Sequence, residues 1–255
     1  MKLRSTSTFL SKDSFMGFSH RGVDNLSHEN TIEAFSVAYG LGFKNFELDV
    51  QASSDGCAFV CHDNNLERLL GEPVLLSKLS SGEIERFEFT HGYKIPTLVS
   101  VLEEFPDARL NIDAKSWKVV GPLCEVIKAT KSHDRICIGG FNDLRVYSIV
   151  RRLGLPVCYS LGPAGAIYCY LGFIFNKKIK VNAGCLQIPE VIFGYRFISK
   201  NFIEFAHKIG LVVHIWTVND ESKMRELIEL GVDGIMTDNC VGLKKVMKEY
   251  NLWKF

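Results

Sequence analysis

No run of about 20 apolar residues occurs anywhere in the 255-residue chain, so nothing in it reads as a bilayer span. The opening stretch, MKLRSTSTFLSKDSF, holds no long apolar core, so no secretory leader is expected. CxxC pairs are missing from among the eight cysteines. A disulfide framework would be unusual at this length. Several thiols, such as Cys61, Cys137 and Cys158, sit inside apolar runs, and the expectation is reduced, buried thiols in a cytoplasmic protein. An excess of either charge is also missing, with 30 Lys and Arg against 29 Asp and Glu. No global field favours nucleic acid, and any phosphate recognition must be local. Finally, there is no HxH or HExxH, which argues against a histidine-rich zinc hydrolase.

What is present is a rhythm. Apolar residues make up 47% of the chain, enough for a sizeable core. Short apolar runs alternate with helical periods, which predicts βαβ units and a parallel sheet. Strands are expected over 15–19, Asn45–Val50, Arg109–Ala114, Arg135–Gly139, Pro156–Ser160, Gly184–Ile188, Val212–Trp216 and Asp233–Thr237. The clearest helices are 31–39, Asn142–Leu153, Lys200–Ile209 and Glu221–Leu230, with Gly154, Gly210 and Gly231 as stops. Asn30, three residues before Glu33, stands where an N-cap belongs. Eight such units close a (β/α)8 TIM barrel, whose working end is the loops after the strands. No low-complexity linker divides the chain, so 1–255 reads as one domain. Residues 51–96 break the rhythm and read as a small insertion after the second strand.

Asp55-Gly56 inside that insertion signals a two-residue hairpin turn. That turn pairs Asp49 with His62, with Cβ atoms roughly 5 Å apart on one face. Strand alternation adds Glu47 to the same face. Paired carboxylates there suit a hard cation such as Mg2+ or Ca2+, although taken alone they could equally be a solvated or ion-paired strand end. Asp113 and Lys115 share a face at the end of the third barrel strand. A third carboxylate beside a cation suits a phosphoryl site. His20-Arg21-Gly22 ends the first strand and supplies an acid/base group and a phosphate clamp. Each piece has a bland alternative, but all of them fall on one rim.

These residues resemble a known family. His20-Arg21-Gly22, Glu29-Asn30-Thr31, Glu47-Leu48-Asp49-Val50, Asp55-Gly56 and His62-Asp63 are similar, in order, to the glycerophosphodiester phosphodiesterase signature. The similarity continues through Ile95-Pro96-Thr97-Leu98, Asn111-Ile112-Asp113-Ala114-Lys115, Trp216-Thr217-Val218-Asn219 and Gly231-Val232-Asp233-Gly234 to Thr237-Asp238. The resemblance implies hydrolysis of a glycerophosphodiester to an alcohol and glycerol 3-phosphate. It implies one divalent cation, Mg2+ or Ca2+, on Glu47, Asp49 and Asp113. His20 and His62 would be the acid/base pair, and Arg21 and Lys115 would hold the phosphate. Many members carry Glu where Asp113 stands. Trp216, at a strand end, either lines the substrate pocket or packs in the core. The run 161–175, apolar on all sides and followed by Lys177, Lys178 and Lys180, resembles the lysophospholipase D-like branch. A lysophospholipid substrate, or peripheral membrane contact through 166–180, is the alternative expectation, against an ordinary packed outer helix. The alternative of another class is a catalytically inactive barrel that binds a lipid or a partner.

Overall fold

The computed structural model describes residues 8–10, 15–23, 28–71, 73–89, 92–192 and 194–253. Most of the opening stretch read for a leader lies outside them. Eleven strands appear among the described residues: β1 (Met16–His20), β2 (Asn45–Ala52), β3 (Ala58–Val60), β4 (Arg109–Ala114), β5 (Ile136–Gly139), β6 (Cys158–Leu161), β7 (Cys185–Pro189), β8 (Val191–Ile192), β9 (Tyr195–Arg196), β10 (Val212–Trp216) and β11 (Gly234–Thr237). The strands β1, β2, β4, β5, β6, β7, β10 and β11 pair in parallel, and the β1–β2 pairing closes them into a barrel. This is the expected (β/α)8 barrel.

Helices α1 (Ile32–Gly40), α2 (Glu67–Leu70), α3 (Ser81–Ile84), α4 (Leu98–Glu104), α5 (Val120–Ala129), α6 (Asp143–Leu153), α7 (Pro163–Ile174), α8 (Lys200–Lys208), α9 (Glu221–Leu230) and α10 (Cys240–Glu249) fill the connections. Helix α6 shows why they form. Asn142 caps it by accepting from the Arg145 amide, Val146, Ile149, Val150 and Leu153 bury one face, and Gly154 ends it in the left-handed conformation. The main core lies between such helices and the strands, and a second cluster, including Phe18, Met236 and three cysteines, fills the barrel interior.

Two local expectations are corrected. The cap of α1 is Thr31, whose hydroxyl accepts from the Ala34 amide. Asn30 stands one residue outside, at φ 59°, and its side chain turns to the rim instead. The hairpin is also one residue out of the expected register. Val50 pairs with Val60 and Ala52 with Ala58, around a turn of five residues in which the Ser53 and Cys57 backbones bond to each other at 3.0 Å. A one-residue slip exchanges the two faces of a strand. Past Val60 the Cys61 amide still bonds to the Asp49 carbonyl at 2.9 Å, and the His62 carbonyl accepts from the Gln51 side chain at 3.1 Å, which keeps His62 beside the rim. Phe59, Cys61, Leu66, Leu76, Ile84, Phe89 and Ile95 form a separate buried cluster.

Candidate active site

Parallel register sets the carboxylates side by side. His20 is level with Glu47, and Asp49 with Asp113, across β1, β2 and β4. All three carboxylates are buried: Glu47 is 7% exposed, Asp49 1% and Asp113 8%. Their environments differ. Burial first, then the charges of Asp49 and Asp113, pushes the Glu47 carboxyl well above its ordinary range. Burial likewise raises Asp113, only partly offset by Lys115. Burial also works against ionising Asp49, but Lys115 and Arg21 outweigh it and hold that carboxyl below its ordinary range. Lys115 Nζ lies 3.0 Å from Asp113 and 3.1 Å from Asp49, and Arg21 Nε lies 2.9 Å from Asp49. Glu47 Oε2 and Asp113 Oδ1 are buried with no hydrogen-bond partner. A buried carboxylate oxygen without a donor is costly. Oxygens of this kind, on neighbouring strands, fit a hard divalent cation.

The turn after β1 adds a residue whose role the sequence concealed. Gly22 takes φ +89° and a Cβ there would meet Ala34 at 2.5 Å, so only glycine lets the chain pass so close to α1. The chain then returns with the Asn30 amide bonded to the Arg21 carbonyl at 2.8 Å. Asn30 donates to Asp49 Oδ2 at 3.0 Å and accepts from the Asp49 amide at 3.3 Å. It is buried and fixes the most acidic of the three carboxylates.

Both histidines are held by an aspartate. His20 Nδ1 lies 2.6 Å from Asp238, whose other oxygen accepts from Asn219 at 2.8 Å. His20 Nε2 faces Glu47 at 3.7 Å. His62 Nδ1 lies 2.6 Å from Asp63, which Arg68 also holds. Gln51 donates to the His62 carbonyl at 3.1 Å. Asp63 and Asp238 follow recognisable motif residues, but nothing in their spacing announced a partner. Trp216, at the end of β10, is half-buried, packs against the interior cluster and meets the exposed Phe141 edge-on at 5.6 Å. Phe141 in turn lies 5.7 Å from Lys115 Nζ. His214 is fully buried beside Gln187, below the rim.

The sequence profile of the glycerophosphoryl diester phosphodiesterase family matches residues 20–155 and 173–241. The chain belongs to this family. The probable glycerophosphodiester phosphodiesterase 2 of Mycobacterium tuberculosis is 31% identical over 255 residues, covering 97% of this chain and 96% of that protein. A lysophospholipase D of Mus musculus is 26% identical over 273 residues, covering 91% and 86%. Among solved structures, an Oleispira antarctica phosphodiesterase in complex with the product sn-glycerol-3-phosphate superposes with a TM-score of 0.78 at 21% identity, covering 92% of this chain and 97% of that one. Enzymes of the glycerophosphoryl diester phosphodiesterase family generally depend on a divalent metal. The buried Glu47, Asp49 and Asp113 of this member's rim are oxygen donors of the kind such an ion takes. No helix among the described residues is long and apolar enough to cross a membrane.

Proposed function

We propose that the rim hydrolyses a glycerophosphodiester, releasing an alcohol and glycerol 3-phosphate. One observation carries the reading. Three buried carboxylates, two of them with unpartnered oxygens, lie between two cations and two histidines, each histidine tethered by its own aspartate.

Glu47, Asp49 and Asp113 would hold one divalent cation, Mg2+ or Ca2+, with Asn30 fixing Asp49. When bound, the cation neutralises charge on the phosphate and lowers the pKa of an oxygen it touches. Arg21 and Lys115 supply the remaining positive charge around the phosphate oxygens. One of His20 and His62 takes the proton from the attacking hydroxyl, which comes from water or from the substrate's own glycerol. The other gives a proton to the departing alcohol oxygen. Asp238 and Asp63 position the rings through Nδ1 and leave each Nε2 for the reaction. The segment 51–96 acts as the arm that delivers His62. The acid/base assignment is tested with His20→Ala and His62→Ala. Each should lose roughly 10²-fold or more in kcat while binding of a slow analogue changes little. Near wild-type turnover in either variant would remove that histidine from the mechanism.

A second reading has its own observation. Trp117, Phe141 and Leu144 follow the ends of β4 and β5 on the catalytic rim and are 54%, 62% and 73% exposed. They could hold an acyl chain, which favours a lysophospholipid substrate. The basic end of 166–180 supports this less well. Helix α7 starts at the catalytic rim and runs back along the barrel for about 18 Å, which carries Lys177, Lys178 and Lys180 to the opposite end.

A further inference from the structure

Apart from the rim, one group of metal-ligating side chains stands out. Cys137 on β5, Cys158 on β6 and Cys185 on β7 all project into the barrel, and their sulfurs lie within 4.8 Å of one another. Cys137 and Cys185 approach to 3.6 Å. The strands enforce this grouping, since Cys137 is level with Cys158 and Cys185 is level with Ser160, two residues further along β6. No disulfide joins them. His214 sits on the neighbouring strand, level with Gln187 and two positions past the partner of Cys185. It is fully buried, its Nδ1 faces Gln187 at 3.3 Å, and its Nε2 has no hydrogen-bond partner.

We propose that Cys137, Cys158 and Cys185 form a second metal site, structural rather than catalytic, for one soft thiophilic cation of the Zn2+ type. Bond lengths of about 2.3 Å place the sulfurs of a tetrahedral zinc thiolate roughly 3.8 Å apart. The spacings here, from 3.6 Å to at most 4.8 Å, bracket that value, so shifts of about an ångström or less close the site. Each S–metal bond forms as its thiol gives up a proton, so filling the site releases up to three protons. The fourth position of a tetrahedral site is left to a donor outside this group of sulfurs. Sulfur donors reject Mg2+ and Ca2+, and the oxygen donors of the rim favour them, so the two sites sort their ions by chemistry. Between the two sites lies a polar layer in which Gln187 donates to Asn111 at 2.8 Å. Fully buried Phe9 packs in the same interior cluster as the thiols, with Leu10 against it. The ion is therefore taken up as the chain folds and afterwards exchanges slowly, tying three adjacent strands together.

The test uses the reduced full-length chain, refolded without air in excess Mg2+ with increasing Cd2+ as the probe. Thiolate-to-cadmium ultraviolet absorption should rise and saturate at one ion per chain, and survive EDTA until the protein is unfolded. Cys137→Ser and Cys185→Ser should each lose about a third or more of that absorption, and Cys124→Ser, a buried thiol on α5, should lose none. Wild-type chain purified from zinc-supplemented cells should retain one zinc by elemental analysis, a measurement that needs no variant. Wild-type protein that refolds to its native circular dichroism without the band overturns the proposal, as does a band indifferent to Cys137 and Cys185.

Discussion

His20 and Asp238 come from opposite ends of the chain and meet at 2.6 Å, with Asn219 holding the far oxygen of the aspartate. The arrangement fixes the ring and its tautomer, as an aspartate does in a hydrolase triad. Asp238→Asn should leave the fold intact and lower kcat roughly 10–100-fold, the scale seen when such a partner is lost. It should also move the pH profile of kcat/KM, which a merely structural change would not do. An unaltered profile with full kcat would show that Asp238 positions nothing. Individual residues were unevenly legible in the sequence. Glu47, Asp49, Asp113 and His20 were visible because period-two alternation and the strand ends fix where side chains project, whereas His62 was placed beside them on a hairpin register that is one residue out. Asp238 was not visible as a partner, because a contact across 218 positions leaves no local pattern. Asn30 was visible in two roles, as a helix cap and as part of the signature, and the cap reading does not hold. A polar residue just before a helix reads as a cap, and only the positive φ that turns it toward Asp49 separates the two roles.

Elements show the same division. Barrel strands β4 and β10 begin and end where expected, since a strand buried on both faces has clear limits. The hairpin slipped by one residue because Ser53 enlarges the turn, its hydroxyl accepting from the Cys57 amide at 2.8 Å. Helix α7 resolves the apolar run 161–175 into two faces. Tyr170 and Phe173 pack on Phe202 at 5.3 and 5.4 Å, while Ile167, Leu171 and Ile174 are 62%, 45% and 54% exposed. Replacing Tyr170 and Phe173 by Ser should therefore cost about 2–4 kcal/mol each and lower Tm by several degrees, depressing all substrates alike. Phe141→Ser with Leu144→Ser touches only the exposed catalytic rim. If an acyl chain rests there, turnover of lysophosphatidylcholine should fall much more than that of glycerophosphocholine, with Tm unchanged. Equal effects on the two substrates would leave the water-soluble diesters as the substrates of this rim.

At the scale of the molecule, the barrel places an acidic, oxygen-lined rim above an interior that becomes progressively apolar, and the buried His214 marks the transition. Burial holds that imidazole neutral below its ordinary value near 6.5. In the unfolded chain it binds a proton as the pH falls through about 6.5. The unfolded state then carries the extra proton, so stability falls as the pH is lowered below that value. His214→Gln removes this component, and its Tm, measured without added metal, should decline less steeply between about pH 6.5 and 5 than that of the wild type. Identical slopes would mean that His214 is protonated in the native fold. The central claim, however, is chemical: a metal-dependent rim cleaves the ester between phosphate and alcohol. The direct measurement incubates chelator-treated protein with glycerophosphocholine, with and without Mg2+ or Ca2+, and quantifies choline, phosphocholine, glycerol and glycerol 3-phosphate. The account predicts no turnover without metal, and equal amounts of choline and glycerol 3-phosphate once one of the two ions is restored. Full turnover in rigorously metal-free protein, or release of phosphocholine and glycerol, would contradict it.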